Sequence, residues 1–502
     1  MEKPNINTLG ALRKAKYKSL SIKEEIRKNL INKLSVRDNP FPGIIGYEDT
    51  VIPDLERAIL SRHNILLLGL RGQAKTRIAR QITSLLDEYI PIVQGSEIND
   101  DPFHPVSRYA IDLIEKLKDE TPIEWIHQSQ RYAEKLATPD VSVSDLIGDI
   151  DPIKAANLKL SFADERIIHY GIIPRSNRGI FVINELPDLQ ARIQVSLFNI
   201  LEEGDLQIRG FKLRLPLDIL FIFTANPEDY TNRGSIVTPL KDRIESQILT
   251  HYPTTIENAL LITEQEAHIH NDQVERVSVS DLIRRLIEQV SFEARNSEFV
   301  DKKSGVSARL TISALENAIS AAERRAIINN EPKTQVWISD LTGIIPSVTG
   351  KIELVYEGEQ EGPFQVAFNL LEKAIRTQFV KYFPDPDALK RRKSKETAET
   401  SPYRQIIQWF DKGNQLDVLF GLKDDTKILM LNKVSGLSDL VKKNFPNANP
   451  KESALLMEFV LHGLASFSLI SKKVTEGKIE FKDLVGSMIN FSEQSFDESE
   501  LE

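Results

Sequence analysis

The sequence predicts an α/β protein: a parallel sheet with helices on both faces, followed by a helical lid and a mainly helical C-terminal region. Two observations carry this. Between Pro40 and Tyr252, five short runs rich in Ile, Leu, Val and Phe alternate with helical patterns: NILLLG at 64–69, YIPIV at 89–93, GIFVIN at 179–184, DILFIFTA at 218–225 and SQILTHY at 246–252. Short runs that are apolar on both faces belong to a buried parallel sheet. Residues 253–335 then read as helix throughout, with RLTISALENAISAAERRAI as the clearest amphipathic stretch.

Taken in order, residues 1–39 carry many Lys and Arg, and Ile22, Ile26, Leu30 and Leu34 recur at helical spacing. A helix that docks on the rest of the protein is expected there, rather than a nucleic-acid arm. Residues 40–252 form the α/β domain. Residues between its second and third apolar runs are too many for a plain crossover, and SRYAIDLIEKLKDE and PIEWIHQSQRYAEKLA read as helices, so a helical insertion is expected at about 100–150. The helical lid spans 253–335. A further region, 340–502, contains a linker at about 384–402, a core helix in LMEFVLHGLASFSLI at 456–470, and an acidic tail, EQSFDESELE.

Composition narrows the functional classes. At 502 residues the chain is too long for one compact core, so several folding units are expected. The formal net charge of -9 argues against a general nucleic-acid coat, which needs clustered Lys and Arg. The chain has no cysteine, which rules out disulfides and thiolate metal sites and fits a reducing cytoplasm. No apolar stretch is long enough to span a membrane, and the N-terminus lacks an export signal. A cytoplasmic protein is expected. The HIH at 268–270 lacks a nearby acid pattern for a metal, and no serine nucleophile elbow stands out.

One stretch carries recognisable chemistry. LLLGLRGQAKTRIAR follows an apolar strand and leads into a helix, and it matches the phosphate-binding pattern G-x-x-x-x-G-K-[ST] except at one place. Gly69, Leu70, Arg71, Gly72, Gln73, Ala74, Lys75 and Thr76 run in order, with Ala74 where the second glycine is usual. Such a loop works because backbone N–H groups wrap a phosphate, a lysine neutralises charge and a Ser or Thr hydroxyl reaches Mg²⁺. Alanine adds only a methyl. Arg77 follows in the same helix start. Further along, RGIFVINELPDL sets Asn184 and Glu185 at the end of a strand, where such ATPases keep an Asp for Mg²⁺ and a Glu that polarises water. Glu185 fits a general base. Asn184 can bond a Mg²⁺-bound water but brings no charge, so lower metal affinity or turnover is expected. Asn226, at the end of the next strand, suits the orientation of a water, and Arg243 in TPLKDRIES suits a finger reaching across a subunit interface.

With these motifs in this order, the region from about Pro40 to Arg325 resembles the AAA+ ATPases of the MoxR and magnesium-chelatase ATPase-subunit (ChlI-like) branch. MoxR proteins commonly carry Ala-Lys-[ST] in this loop, so GQAKT matches. NPFPGIIGYEDTV resembles the segment before the loop, which implies that Ile45 and Gly46 lie by the adenine. SNRGIFVINELPDLQARIQVSLFNILEEGDLQIRG resembles the run from the third strand through a helix into a hairpin insert, and GVSARLTISALENAI resembles the sensor-2 helix, which implies that Arg309 touches the γ-phosphate.

The resemblance implies a P-loop AAA+ sheet, ATP and Mg²⁺ as ligands, and a homo-oligomeric ring, a hexamer, with Arg243 acting in trans. It also implies action on a partner protein that carries a von Willebrand factor A domain. The alternatives are an ATP-gated scaffold with little hydrolysis and a magnesium-chelatase motor. The insertion at 100–150 and residues 340–502 match no part of the family.

Overall fold

The computed structural model describes residues 3–159, 164–208, 214–227, 235–391, 401–475 and 477–484. The acidic tail, the core of the linker, the tip of the hairpin insert and most of the segment after Asn226 lie outside them. The chain divides into two compact units, Met1–Tyr252 and Pro253–Glu502.

The first unit opens with α1 (Leu9–Lys14), α2 (Ile22–Ser35) and α3 (Val51–Leu60), followed by β1 (Ile65–Leu68) and α4 (Lys75–Gln81). Then come β2 (Tyr89–Val93), α5 (Arg108–Leu117), β3 (Ile123–His127), β4 (Tyr132–Leu136), β5 (Gly179–Asn184), β6 (Ile219–Ala225) and β7 (Ser246–Leu249). Five strands make one parallel sheet in the order β7-β1-β6-β5-β4. Its residues alternate between two apolar layers. Ile65, Leu67, Val182, Ile222 and Ile248 pack with α2, α3 and α4, whereas Leu66, Leu68, Phe181, Ile183 and Phe223 face the opposite layer. Burial on both faces is why β1, β5 and β6 carry nearly unbroken apolar runs, whereas the edge strands β4 and β7 do not.

Two expectations for this unit change. YIPIV is a strand, but it pairs antiparallel with β3 in a separate two-stranded sheet. PIEWIHQSQRYAEKLA is not helical: it supplies β3 and β4, and β4 fills the edge of the parallel sheet. The helix expected around SRYAIDLIEKLKDE is present as α5. The edge position is set by Arg131, just ahead of β4. Its carbonyl accepts Ile180 N–H at 2.8 Å, and its buried guanidinium forks onto Glu25 of α2 with two contacts of 2.7 Å. That pair is long-range, and nothing local in the sequence announces it.

The docking helix is α2. A Ser21–Glu24 capping box starts it, Ile22, Ile26 and Leu30 are buried, and Leu34 stays exposed. Ile22 N–H donates to Asp218 at 2.8 Å. Burial pushes that carboxyl up to about 6.

The second unit contains α6 (Ile256–Glu266), α7 (Asp281–Asn296), α8 (Arg309–Ile328), α9 (Pro363–Tyr382) and α10 (Pro450–Ser466). Its small antiparallel sheet has the order β8-β10-β9, from β8 (Leu416–Leu419), β9 (Ser471–Thr475) and β10 (Lys478–Lys482). One apolar core runs from Val277 to Phe481, and packing does not break between 335 and 340, where a domain boundary is expected from the sequence. The core helix expected at 456–470 is the buried α10, ending at Ser466.

Candidate nucleotide site

Register brings the candidate residues of the first unit to one edge of the sheet. Leu68 of β1 pairs with Ala225 of β6 and Leu249 of β7, so Gly69, Asn226 and Thr250 leave the sheet side by side. Ile183 of β5 pairs with Phe223, which sets Asn184 beside Thr224. The carboxyl ends of parallel strands are where open α/β sheets bind ligands.

The loop after β1 is held tightly. Gly69 N–H donates to Ala225 O at 3.1 Å, and Thr250 N–H donates to Leu68 O at 2.9 Å. A Cβ on Gly69 would lie 2.0 Å from Thr250 Oγ1 and 2.2 Å from Gln73 Oε1, so glycine is required there. Gln73 is buried, and its side-chain oxygen accepts the Thr250 hydroxyl at 2.7 Å. Gly72 has φ +72 and Ala74 φ +57, both left-handed. The methyl of Ala74 is thus tolerated in a conformation that favours glycine.

Helix α4 begins at Lys75 with no side-chain cap, and its first turn closes with Ile78 N–H to Ala74 O at 2.9 Å. The N–H groups ahead of that bond have no partner within the helix, the arrangement that binds phosphate. Lys75 Nζ donates to Gly69 O, to Leu70 O at 2.9 Å and to Asn226 Oδ1 at 2.8 Å. Thr76 and Arg77 follow, both half-buried.

Asn184 and Glu185 are half-buried on the neighbouring strand end. Glu185 adopts the left-handed region, φ +57, and its N–H donates to Thr224 Oγ1 at 3.1 Å. The same hydroxyl lies 3.2 Å from Asn184 Oδ1.

The segment before the loop is tied to it by Tyr47. The buried phenol donates its one proton to His251 O at 2.6 Å, with Gln73 O also in reach at 3.1 Å, and burial pushes its pKa up to about 12. Ile45 is half-buried and Gly46 turns at φ +79, with its N–H on Glu48 at 3.1 Å.

The structure therefore brings Lys75, Asn226, Asn184, Glu185 and Thr76 to one strand edge, with Tyr47 tying Gly46 to the loop. Arg243 makes other contacts: Glu202 at 2.6 Å, Pro239 O at 2.8 Å, and the face of Phe198 at 5.0 Å. Arg309 belongs to the second unit, exposed at the first position of α8. Tyr47, Thr224 and Thr250 escape sequence reading. The available signal is a lone hydroxyl at the end of an apolar strand run, as in FIFTA and QILTH.

These residues fit a nucleoside triphosphate: the loop leaves no room for a Cβ at Gly69, the helix start is uncapped, and a lysine sits among the loop carbonyls. For Mg²⁺ the fit is partial: Thr76 offers a hydroxyl, but Asn184 brings no charge and its oxygen spends one of two lone pairs on Thr224.

Fold and loop together define a class of architecture, a parallel α/β sheet with a P-loop at its carboxyl edge, as in the AAA+ fold. No family model matches the chain. Two curated relatives do, both magnesium-chelatase 38 kDa subunits. That of Cereibacter sphaeroides is 23% identical over 237 residues, 46% of this chain and 64% of its own, and that of Rhodobacter capsulatus is 24% identical over 222 residues, 43% and 57%. The chain thus spans less than two thirds of these relatives. They support the ChlI-like branch of the AAA+ ATPases. Among solved structures, a chain in the complex between subunits BchI and BchD of magnesium chelatase superimposes loosely, with 18% identity, 64% of this chain and 98% of that one covered, and a TM-score of 0.34. Among the described residues, no helix is long and apolar enough to cross a membrane.

Proposed function

We propose that this chain hydrolyses ATP as the subunit of a ring, a hexamer in which each site is completed by the neighbouring copy. One observation carries the reading: Lys75 Nζ meets Asn226 Oδ1 at 2.8 Å, beside an uncapped helix start. In this reading Lys75 and the loop N–H groups hold the phosphates, Asn226 orients a water and Glu185 takes its proton. Bound Mg²⁺ would neutralise phosphate charge, with Thr76 as its side-chain ligand. Ile45 and Gly46 border the adenine, and Arg309 acts from the lid. Arg243, exchanging Glu202 for the phosphate of an adjacent subunit, is the trans finger.

The output of the ring is a change in a partner protein. The names of the two relatives favour a magnesium-chelatase type of motor. Resemblance to MoxR proteins favours a client with a von Willebrand factor A domain. A second reading, an ATP-gated scaffold with little hydrolysis, is favoured by Asn184 in place of a carboxylate.

Steady-state phosphate release by the full chain tests the proposal. Turnover that disappears in Glu185→Gln supports hydrolysis and sinks the scaffold; ATP binding without turnover does the reverse. Mixing Arg243→Ala with Lys75→Ala subunits should recover activity that neither has alone if sites are shared.

A further inference from the structure

Thr224 decides how Asn184 can meet a nucleotide. The threonine is 3% exposed, and its hydroxyl stands between Glu185 N–H at 3.1 Å and Asn184 Oδ1 at 3.2 Å. A hydroxyl has one proton to give. Among the described residues its acceptor is Asn184 Oδ1, and leaving that buried proton unpaired would be costly. The relay therefore runs from Glu185 N–H through Thr224 to Asn184. It turns the amide oxygen toward Thr224, which takes one of its two lone pairs, and directs Nδ2, a donor only, the opposite way. A donor suits an anionic oxygen. Nδ2 itself can neither ligate a metal ion nor accept from a metal-bound water. A carboxylate at this position would keep a second oxygen and a full charge whatever Thr224 took.

We infer that Thr224 and Asn184 are a positioning pair that presents a hydrogen-bond donor to a phosphate oxygen, in place of the acceptor that a Mg²⁺ shell requires. Nucleotide binding then depends less on Mg²⁺ than it would with aspartate at 184. The inference rests on the nucleotide site proposed above.

The test titrates the full chain with a fluorescent ATP analogue, in Mg²⁺ and in EDTA. Asn184→Asp should raise the ratio of the two dissociation constants about tenfold or more over wild type, because an uncompensated carboxylate beside phosphate is repulsive by more than 1.4 kcal/mol even at an effective dielectric constant of about 20. Thr224→Val, which frees the amide, should weaken binding in EDTA about fivefold, the worth of one hydrogen bond, and Thr224→Ser should restore it. Equal Mg²⁺ dependence for wild type and Asn184→Asp would overturn the inference, as would undiminished binding by Thr224→Val. Lys75→Ala separates the two levels. If it binds as wild type does, the nucleotide site itself fails; if it loses binding while position 184 shows no Mg²⁺ effect, only the positioning pair fails.

Discussion

The main polar clusters of the two units serve opposite ends, although the first unit also buries the Arg131–Glu25 ion pair. In the first, Lys75, Asn226, Asn184 and Glu185 gather half-buried at strand ends, where a ligand can reach them. In the second, charged groups are buried and satisfy one another. Arg325 contacts Asp424 at 2.7 Å and Asp340 at 3.0 Å, and Asp424 also accepts the Trp337 indole at 2.8 Å. Lys427 lies 3.5 Å from Glu458 and donates to Ser339 at 2.6 Å. A polar cluster marks a site when its members are accessible and positioned by others; when every partner is internal, it holds a fold together.

The largest effect should come from breaking the buried network. Arg325→Ala leaves Asp340 without an ion-pair partner among the described residues and Asp424 with only Lys451 at 3.8 Å, and removing one partner of a buried ion pair destabilises by about 3–5 kcal/mol. Urea unfolding of the second unit should shift accordingly; a shift under 1 kcal/mol would mean that the network is solvated. Next, Lys75→Ala should weaken ATP binding about 100-fold, some 2.7 kcal/mol, with the unfolding midpoint nearly unchanged. A collapse of stability instead would assign Lys75 to structure and erase the contrast between the units.

The third effect depends on pH. Glu288 in α7 is buried, accepts the Thr263 hydroxyl at 2.6 Å, and burial pushes its carboxyl up to about 7. Thr263 also meets Thr311 of α8 at 2.9 Å, while Arg295 and the Arg284–Glu264 pair are the charged groups nearby. Because the folded value lies above the unfolded one, the folded state holds a proton that the unfolded state releases. The stabilisation is complete below the unfolded pKa, near 4.5, and is lost as pH rises through about 7. Relative to Glu288→Gln, the wild-type second unit should lose on the order of 2 kcal/mol across that window. Hydrogen exchange at the amides of α7 measures it, and parallel pH profiles would show that the carboxyl is hydrated.

What was legible follows the same division. Strands β1, β5 and β6 announce themselves because both faces are buried, and the loop does so because phosphate chemistry constrains its spacing. Strand β4 does not. YAEKL is a half-exposed edge strand with charges at Glu134 and Lys135, and its place is decided by the remote Arg131–Glu25 pair. Thr224 and Thr250 act through contacts that only the sheet register creates. In the second unit, Arg325, Asp340 and Asp424 are far apart in sequence and form no motif, so the pattern shows helices but not what joins them.

The smallest effect bears on Ala74, the residue that departs from the phosphate-loop pattern. Its φ of +57 and ψ of 13 place a methyl in the left-handed region, a strain of about 1–2 kcal/mol for an ordinary residue. Ala74→Gly would relieve that strain. It would also free the unfolded chain, which opposes the gain by about 0.4–1 kcal/mol. The balance favours the glycine variant by roughly 0–1.6 kcal/mol in stability of the first unit. ATP affinity should hardly move, because the backbone N–H groups keep their directions in either residue. Chemical unfolding and nucleotide titration of the same variant separate the two quantities. A loss of stability above 1 kcal/mol would mean that the methyl packs productively against the loop. A large gain in affinity with unchanged stability would mean that alanine holds the loop away from the phosphate, and the site would then be one tuned for weak binding.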